Sequence, residues 1–195
     1  MSCFTPGTTI ATPRGEKFVE DLRQGDRIIT RDSGIQEIRW VGHKEITGST
    51  LSRSPHLAPV LINSGALGNG LPERAMMVSP NHRILVASDR TQLYVEDHEA
   101  LIAAKHLANG TSVQSVTITK TTYIHLMFDR HEVVLSNGSW TECFHPGDYS
   151  LKGKGNSQRI ELIELFPELK AAAGLADVES ERRARQRREA LVVVK

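Results

Sequence analysis

Short runs of β-branched and apolar residues recur along the first two thirds of the chain, at residues 8–12, 27–30, 35–40, 59–62, 75–78, 83–86, 112–118 and 122–128. Each run is too short for a helix and rich in strand-forming side chains, so each predicts a β-strand. Turn-forming sequences separate them: Pro13-Arg14-Gly15, Asp32-Ser33-Gly34, Asn69-Gly70, Asn109-Gly110 and Asn137-Gly138. Asn-Gly between β-prone runs favours a tight hairpin, because both residues accept positive φ. Many short strands with frequent turns predict an all-β fold. Across residues 123–131 alternation puts Ile124, Leu126 and Phe128 on one face and His125, Met127, Asp129 and His131 on the other.

Two segments share a pattern. Val19, Leu22, Gly25 and Ile28 stand at the same spacing as Ala104, Leu107, Gly110 and Val113. Each segment reads as a short turn that feeds a strand. A duplication of this unit predicts a fold with two similar halves whose chain ends meet at the centre. After residue 159 the texture changes. Ile160, Leu162, Ile163, Leu165, Phe166 and Leu169 suit an amphipathic helix that Pro167 interrupts. Residues 179–189 are helix-prone and carry Arg182, Arg183, Arg185, Arg187 and Arg188 beside Glu179, Glu181 and Glu189. That stretch reads as a solvated helix, or as a basic patch for a protein partner. The chain therefore predicts a β domain over residues 1–150 and a helical extension over residues 151–195.

Composition narrows the function classes. Of 195 residues, 39% are hydrophobic and 24% charged, with a net charge of +1, which fits a globular domain without bias toward nucleic acid or membranes. Aromatics are only 5%, too few to suggest a base-stacking surface. No run approaches the ~20 apolar residues of a membrane span. The N-terminus lacks a basic region followed by an apolar stretch, so no signal peptide is read, and the expected location is cytoplasmic or reached by a non-classical route. Residues 65–70 have glycines at the wrong spacing for a phosphate loop, and no cofactor is expected. No metal site is expected either. His125 and His131 on a straight strand are six steps of ~3.3 Å apart, about 20 Å, too far to share an ion unless the chain bends after Phe128.

Two cysteines, Cys3 and Cys143, do not make a disulfide framework. Cys3 reads either as a small buried hydrophobe or as a reactive thiol, its position near a chain end being unusual for the first role. Ser79-Pro80-Asn81-His82 lies between two predicted strands. It reads either as a Ser-Pro turn with a surface histidine, or as a hydroxyl and an imidazole brought to one backbone bend. His43, His56, His98, His106 and His145 belong to no evident constellation.

Together these pieces resemble a known family. The stretch Cys3-Phe4-Thr5-Pro6-Gly7-Thr8, continuing through Pro13-Arg14-Gly15 and Val19-Glu20-Asp21-Leu22, resembles the N-terminal block of hedgehog/intein (Hint) domains. Ser79-Pro80-Asn81-His82-Arg83 resembles the second block, in the form common in the bacterial Hint subgroup. Tyr123 through Leu135-Ser136-Asn137-Gly138 resembles the penultimate block. The resemblance covers about residues 3–148, and it implies a horseshoe-like, pseudo-two-fold β fold.

The resemblance also implies an autoprocessing reaction. The Cys3 thiolate attacks the Ser2 carbonyl and converts the Ser2–Cys3 peptide into a thioester. His82 is implied as the acid that protonates the departing nitrogen, Ser79 as the group that orients His82 or the scissile amide, and His125 as a further group that helps deprotonate Cys3. Cys143, Asp129 and His131 are auxiliary candidates. The substrate is then the chain's own N-terminal flanking segment.

Three departures from the family qualify this expectation. Only Met1 and Ser2 precede Cys3, so cleavage would release almost nothing, as expected of a piece cut from a longer protein or of a protein that has lost its cargo. The intein C-terminal His-Asn pair is absent, and Thr141-Glu142-Cys143 stands there instead, so cleavage without full splicing is expected. Nothing after residue 150 resembles a sterol-binding region. Cys143 is expected close to Cys3. The competing readings are a Hint-fold scaffold that no longer reacts, and a hydrolase that uses Cys3 and His82 on other molecules and so needs an open cleft.

Overall fold

A computed structural model describes residues 2–87, 99–143, 145 and 156–169. The chain divides into two units, residues 1–145 and 146–195. Among the described residues the first carries thirteen strands: β1 (Thr9–Thr12), β2 (Gly15–Phe18), β3 (Arg27–Ile29), β4 (Ile35–Glu37), β5 (Trp40–Thr47), β6 (Val60–Ile62), β7 (Met76–Val78), β8 (Arg83–Ala87), β9 (Glu99–Ala103), β10 (Val113–Ser115), β11 (Lys120–Met127), β12 (Glu132–Ser136) and β13 (Ser139–Cys143). Two short helices, α1 (Gly48–Arg53) and α2 (Ala104–Leu107), interrupt them. The fold is all-β. In the second unit a helix, α3 (Asn156–Leu165), stops just before Phe166-Pro167, where proline forbids its continuation. The arginine-rich stretch 179–189 lies outside the described residues.

The pseudo-symmetry read from sequence is visible in the largest sheet, whose strand order is β2-β1-β12-β13-β8-β9. Hairpin β1–β2 closes one edge, hairpin β8–β9 the other, and hairpin β12–β13 fills the middle. Each edge hairpin runs into one of the two repeated segments. Val19 begins a single 3-10 turn and Ala104 begins α2, and both residues are fully buried. Gly25 (φ 91°) and Gly110 (φ 74°) then turn the chain in a left-handed conformation, and Ile28 and Val113 enter the core on the next strand. The shared pattern thus yields the same succession twice, a buried turn, a left-handed glycine and a core strand, with a 3-10 turn in one copy and an α-helical turn in the other.

The core joins both halves: Phe4, Ile10, Leu22, Ile28, Ile62, Val78, Ile84, Ile124, Leu126 and Val134 form one cluster. The central hairpin is different, because most of its buried positions are polar, Val134 and Cys143 excepted. Glu132, Ser136, Ser139, Thr141 and Glu142 are all buried, with Ser136 and Thr141 joined through their hydroxyls at 3.0 Å. Its two-residue loop, Asn137-Gly138, has positive φ at both positions (43° and 80°), as an Asn-Gly hairpin demands. The loop is pinned from outside: Asn137 Oδ1 accepts the Thr9 amide at 2.8 Å, and Asn137 Nδ2 donates to the Arg74 and Ala75 carbonyls at 3.3 Å.

A methyl group at Gly138 would meet Glu73 Cγ at 2.8 Å in a backbone conformation that L-residues avoid. Gly138→Ala is therefore expected to cost about 1–2 kcal/mol of stability. Urea unfolding checks this, and an unchanged midpoint would contradict the hairpin register about Asn137-Gly138.

Five strands were not read from the sequence: β2, β5, β9, β12 and β13. The Pro13-Arg14-Gly15 turn is tighter than expected, since Gly15 already opens β2 and pairs with Thr12.

Candidate active site

The chain start does not fray. Ser2, Cys3 and Phe4 have no exposed surface, and Thr5 is 2% exposed. The reason is backbone pairing. Phe4 bridges to Val78 on one side and to Ile124 on the other. Its amide donates to the Ile124 carbonyl and its carbonyl accepts the Ile124 amide, both at 2.9 Å. The Thr5 hydroxyl donates to the Met77 carbonyl at 2.7 Å. Residues 2–5 thus lie as an extended rung between the end of β7 and the middle of β11. The residues flanking that rung, Ser79 after β7 and His125 within β11, are forced against the Ser2–Cys3 peptide.

Both polar atoms of that peptide are engaged. The Cys3 amide donates to Ser79 Oγ at 3.0 Å, and His125 Nδ1 lies 2.8 Å from the Ser2 carbonyl oxygen. A carbonyl only accepts, so His125 carries its proton on Nδ1. The Ser79 amide in turn donates to the Cys3 carbonyl at 3.0 Å, and the His82 amide donates to the Ser79 carbonyl at 3.0 Å, closing the turn over Pro80-Asn81. That turn brings in the second imidazole. His82 Nδ1 lies 3.2 Å from the Cys3 carbonyl oxygen, so it too bears the proton there.

His82 is fully buried, not a surface histidine, and stands edge-on to the Phe4 ring at a centroid distance of 4.6 Å. Burial pushes its pKa down to about 3, with the charged terminal amine and then the neighbouring His125 acting in the same direction and the Cys3 carbonyl opposing them. The ring is therefore neutral at physiological pH, and its Nε2 lone pair has no hydrogen-bond partner among the described residues.

A third set of groups approaches Ser2 from the central hairpin. The Ser2 hydroxyl donates to Glu142 Oε2 at 3.1 Å. Glu142 has no exposed surface, and its Oε1 lies 3.4 Å from both Arg83 Nη1 and His131 Nε2. The chain does bend after Phe128. β11 ends at Met127 and β12 begins at Glu132, which lets His125 reach the Ser2 carbonyl while His131 reaches Ser2 through Glu142. Cys143, next to Glu142, pairs across the hairpin with Glu132. Burial, helped by Glu142 and Glu132, raises its thiol pKa well above the usual range. Both cysteines are thiols rather than a disulfide.

Cys3, Ser79, His82 and His125 are thus brought together, with His131 and Cys143 one layer away around Glu142. Asp129 is not among them. It is exposed, and its carboxylate makes a forked contact with Arg39 at 3.0–3.1 Å. His43, His56 and His106 are likewise exposed, and His98 lies outside the described residues. Glu142 and the Ser2 hydroxyl were missed in sequence. The register Glu132↔Cys143 about the Asn137-Gly138 loop was the available signal, since it carries Glu142 to the strand end where the chain start arrives.

With this geometry in place, the comparisons with known proteins fall on the same region. The Hint domain matches over residues 2–148. Among solved structures, a bacterial intein-like domain from Clostridium thermocellum is similar at 12% identity, covering 73% of this chain and 99% of its own, with a TM-score of 0.44. A DnaB intein from Synechocystis sp. PCC 6803 is similar at 11% identity, with 73% and 99% covered and a TM-score of 0.46. The gp41-1 intein is similar at 12% identity, with 72% and 98% covered and a TM-score of 0.42. No curated protein matches the chain significantly. No helix among the described residues is long and apolar enough to cross a membrane.

Proposed function

Because the chain belongs to the Hint-domain family, we propose that it acts on its own Ser2–Cys3 peptide, by an N-to-S acyl shift followed by release of the upstream segment without splicing. The observation that carries this reading is the grip on one peptide bond. His125 holds its carbonyl oxygen and Ser79 holds its nitrogen, in a site with no exposed surface. Complete burial suits a substrate that is part of the chain and disfavours a hydrolase acting on separate molecules, which needs an open cleft.

The step forms the Cys3 Sγ–Ser2 C bond and breaks the Ser2 C–Cys3 N bond. Negative charge develops on the Ser2 oxygen, where His125 Nδ1–H already donates at 2.8 Å. We therefore give His125 the oxyanion role rather than deprotonation of the thiol. The thiol loses one proton and the departing amine gains one. His82 is the group that carries it, taking a proton at its unpartnered Nε2 while Nδ1–H, now on the Cys3 carbonyl oxygen, turns to the nitrogen of the same residue. Burial disfavours a charged His82, so the relay passes through the ring without an imidazolium that accumulates. The thioester is then taken by water or an added thiol. With Glu142-Cys143 where the splicing pair of inteins would stand, no second cleavage follows.

A folded reporter fused ahead of Met1 tests the reading. Thiol-dependent release of the reporter supports it, and an intact fusion carrying a folded domain contradicts it. In the same fusion His125→Ala is expected to slow release about 10²–10³-fold, the usual loss for one oxyanion donor. A rate within about threefold of the parent would remove His125 from the mechanism.

A further inference from the structure

Glu142 has no part in the acyl shift, yet it touches the residue that donates the acyl group. Its carboxylate is fully buried and its two oxygens meet different partners. Oε1 meets Arg83 Nη1 and His131 Nε2, each at 3.4 Å, both from side chains 17% exposed. Oε2 accepts the Ser2 hydroxyl at 3.1 Å. A buried carboxylate is tolerated only when paired, so Arg83 and His131 hold it in place. Oε2 is thereby a positioned acceptor for the side chain one residue ahead of the scissile bond.

Ser2 is therefore held by its hydroxyl as well as by its carbonyl, which His125 takes at 2.8 Å. Two anchors on one residue set both its position and the direction of its carbonyl. Ser2 itself has no exposed surface, so a larger side chain at this position meets protein rather than solvent.

Resting on the autoprocessing reading, we infer that Glu142 is a specificity residue that selects a small, hydroxyl-bearing residue immediately upstream of the cleaved bond. A site built to accept a hydrogen bond from a substrate hydroxyl discriminates against the analogue that lacks it, because the buried acceptor then loses a donor. Serine is the preferred residue, alanine fits without the bond, and a branched or long apolar residue neither fits nor bonds.

The test varies position 2 in the reporter fusion and reads the thiol-dependent release rate. Ser2→Ala is expected to be at least about 10-fold slower than the parent, and Ser2→Leu slower still. In a Glu142→Gln background the parent-to-Ser2→Ala ratio is expected to fall to about threefold or less, a coupling that general loss of structure does not produce. Equal release from the parent and Ser2→Ala, in the presence of an active domain, overturns the selectivity and leaves the acyl shift standing. An unchanged ratio in Glu142→Gln overturns the role of Glu142 alone. If Glu142→Gln does not fold, the position 2 series decides the matter, since it leaves Glu142 in place. No release from any fusion, the parent included, overturns the autoprocessing reading and the selectivity with it.

Discussion

Cys3→Ala in a chain fused to an upstream reporter abolishes thiol-dependent release, lowering it by about 10³-fold or more. The expectation rests on the absence of a stand-in. Cys143 is the only other thiol, and burial beside Glu142 and Glu132 keeps it protonated. The Ser2 hydroxyl belongs to the acyl residue itself, and attack on its own carbonyl would close a four-membered ring. The Ser79 hydroxyl is engaged with the Cys3 amide on the leaving-group side of the bond. Removing one buried sulfur costs stability of about 1 kcal/mol, so the variant stays folded and the loss is chemical. A Cys3→Ala fusion that releases its reporter at the parent rate would mean that another nucleophile cleaves the bond, or that the cleavage is adventitious.

The second large effect is on stability in acid. His82 folds as a neutral imidazole with its pKa lowered from 6.5 to about 3. Between those values the unfolded chain binds a proton that the folded chain does not. Stability therefore rises with pH through this window and falls as pH drops through it, the loss starting near 6.5 and levelling off only near 3. At about 1.4 kcal/mol per unit, moving from pH 6.5 to pH 5 removes about 2 kcal/mol, and the full window up to about 5 kcal/mol. The first interval is the cleaner one, since surface carboxylates remain charged there. Urea unfolding of parent and His82→Gln at both pH values isolates the contribution. The parent is expected to lose about 2 kcal/mol more than the variant. Parallel pH profiles would show that His82 charges in the folded state, and the concerted relay assigned to it would fail.

The residues explain which parts of this fold were legible. β1, β3, β6, β7, β8, β10 and β11 carry apolar residues toward the core at strand period, and the pattern reveals them. β12 and β13 sit at the centre of the largest sheet, but of their buried side chains only Val134 and Cys143 are apolar, beside Glu132, Ser136, Ser139, Thr141 and Glu142. Polar residues at most buried positions, with Glu142 reaching Ser2 from one of them, blur the alternation that marks a strand. β5 exposes His43 and Glu45 and buries only Gly42 and Ile46, as fits a strand paired with β11 alone. The repeated segments were legible because each needs the same three things in order: a buried turn, a left-handed glycine and a core residue on the next strand.

The site was legible through the Cys3, Ser79 and His82 motifs and the placement of His125. Its geometry was not. The sequence suggested a surface histidine at residue 82 as readily as a buried one, because burial there depends on Phe4 pairing with β11, 120 residues away. Asp129 shared a strand face with His125 on paper. The bend after Phe128 sends it to the surface, where Arg39 takes it.

The central claim is that the Ser2–Cys3 peptide becomes a thioester. The intact mass of the fragment released by dithiothreitol from the reporter fusion tests this most directly. The account predicts a fragment that ends at Ser2 and carries the thiol as a C-terminal adduct, with the remaining chain beginning at Cys3. A fragment ending elsewhere, or one with a free carboxylate whose yield does not depend on the thiol or on Cys3, would contradict it.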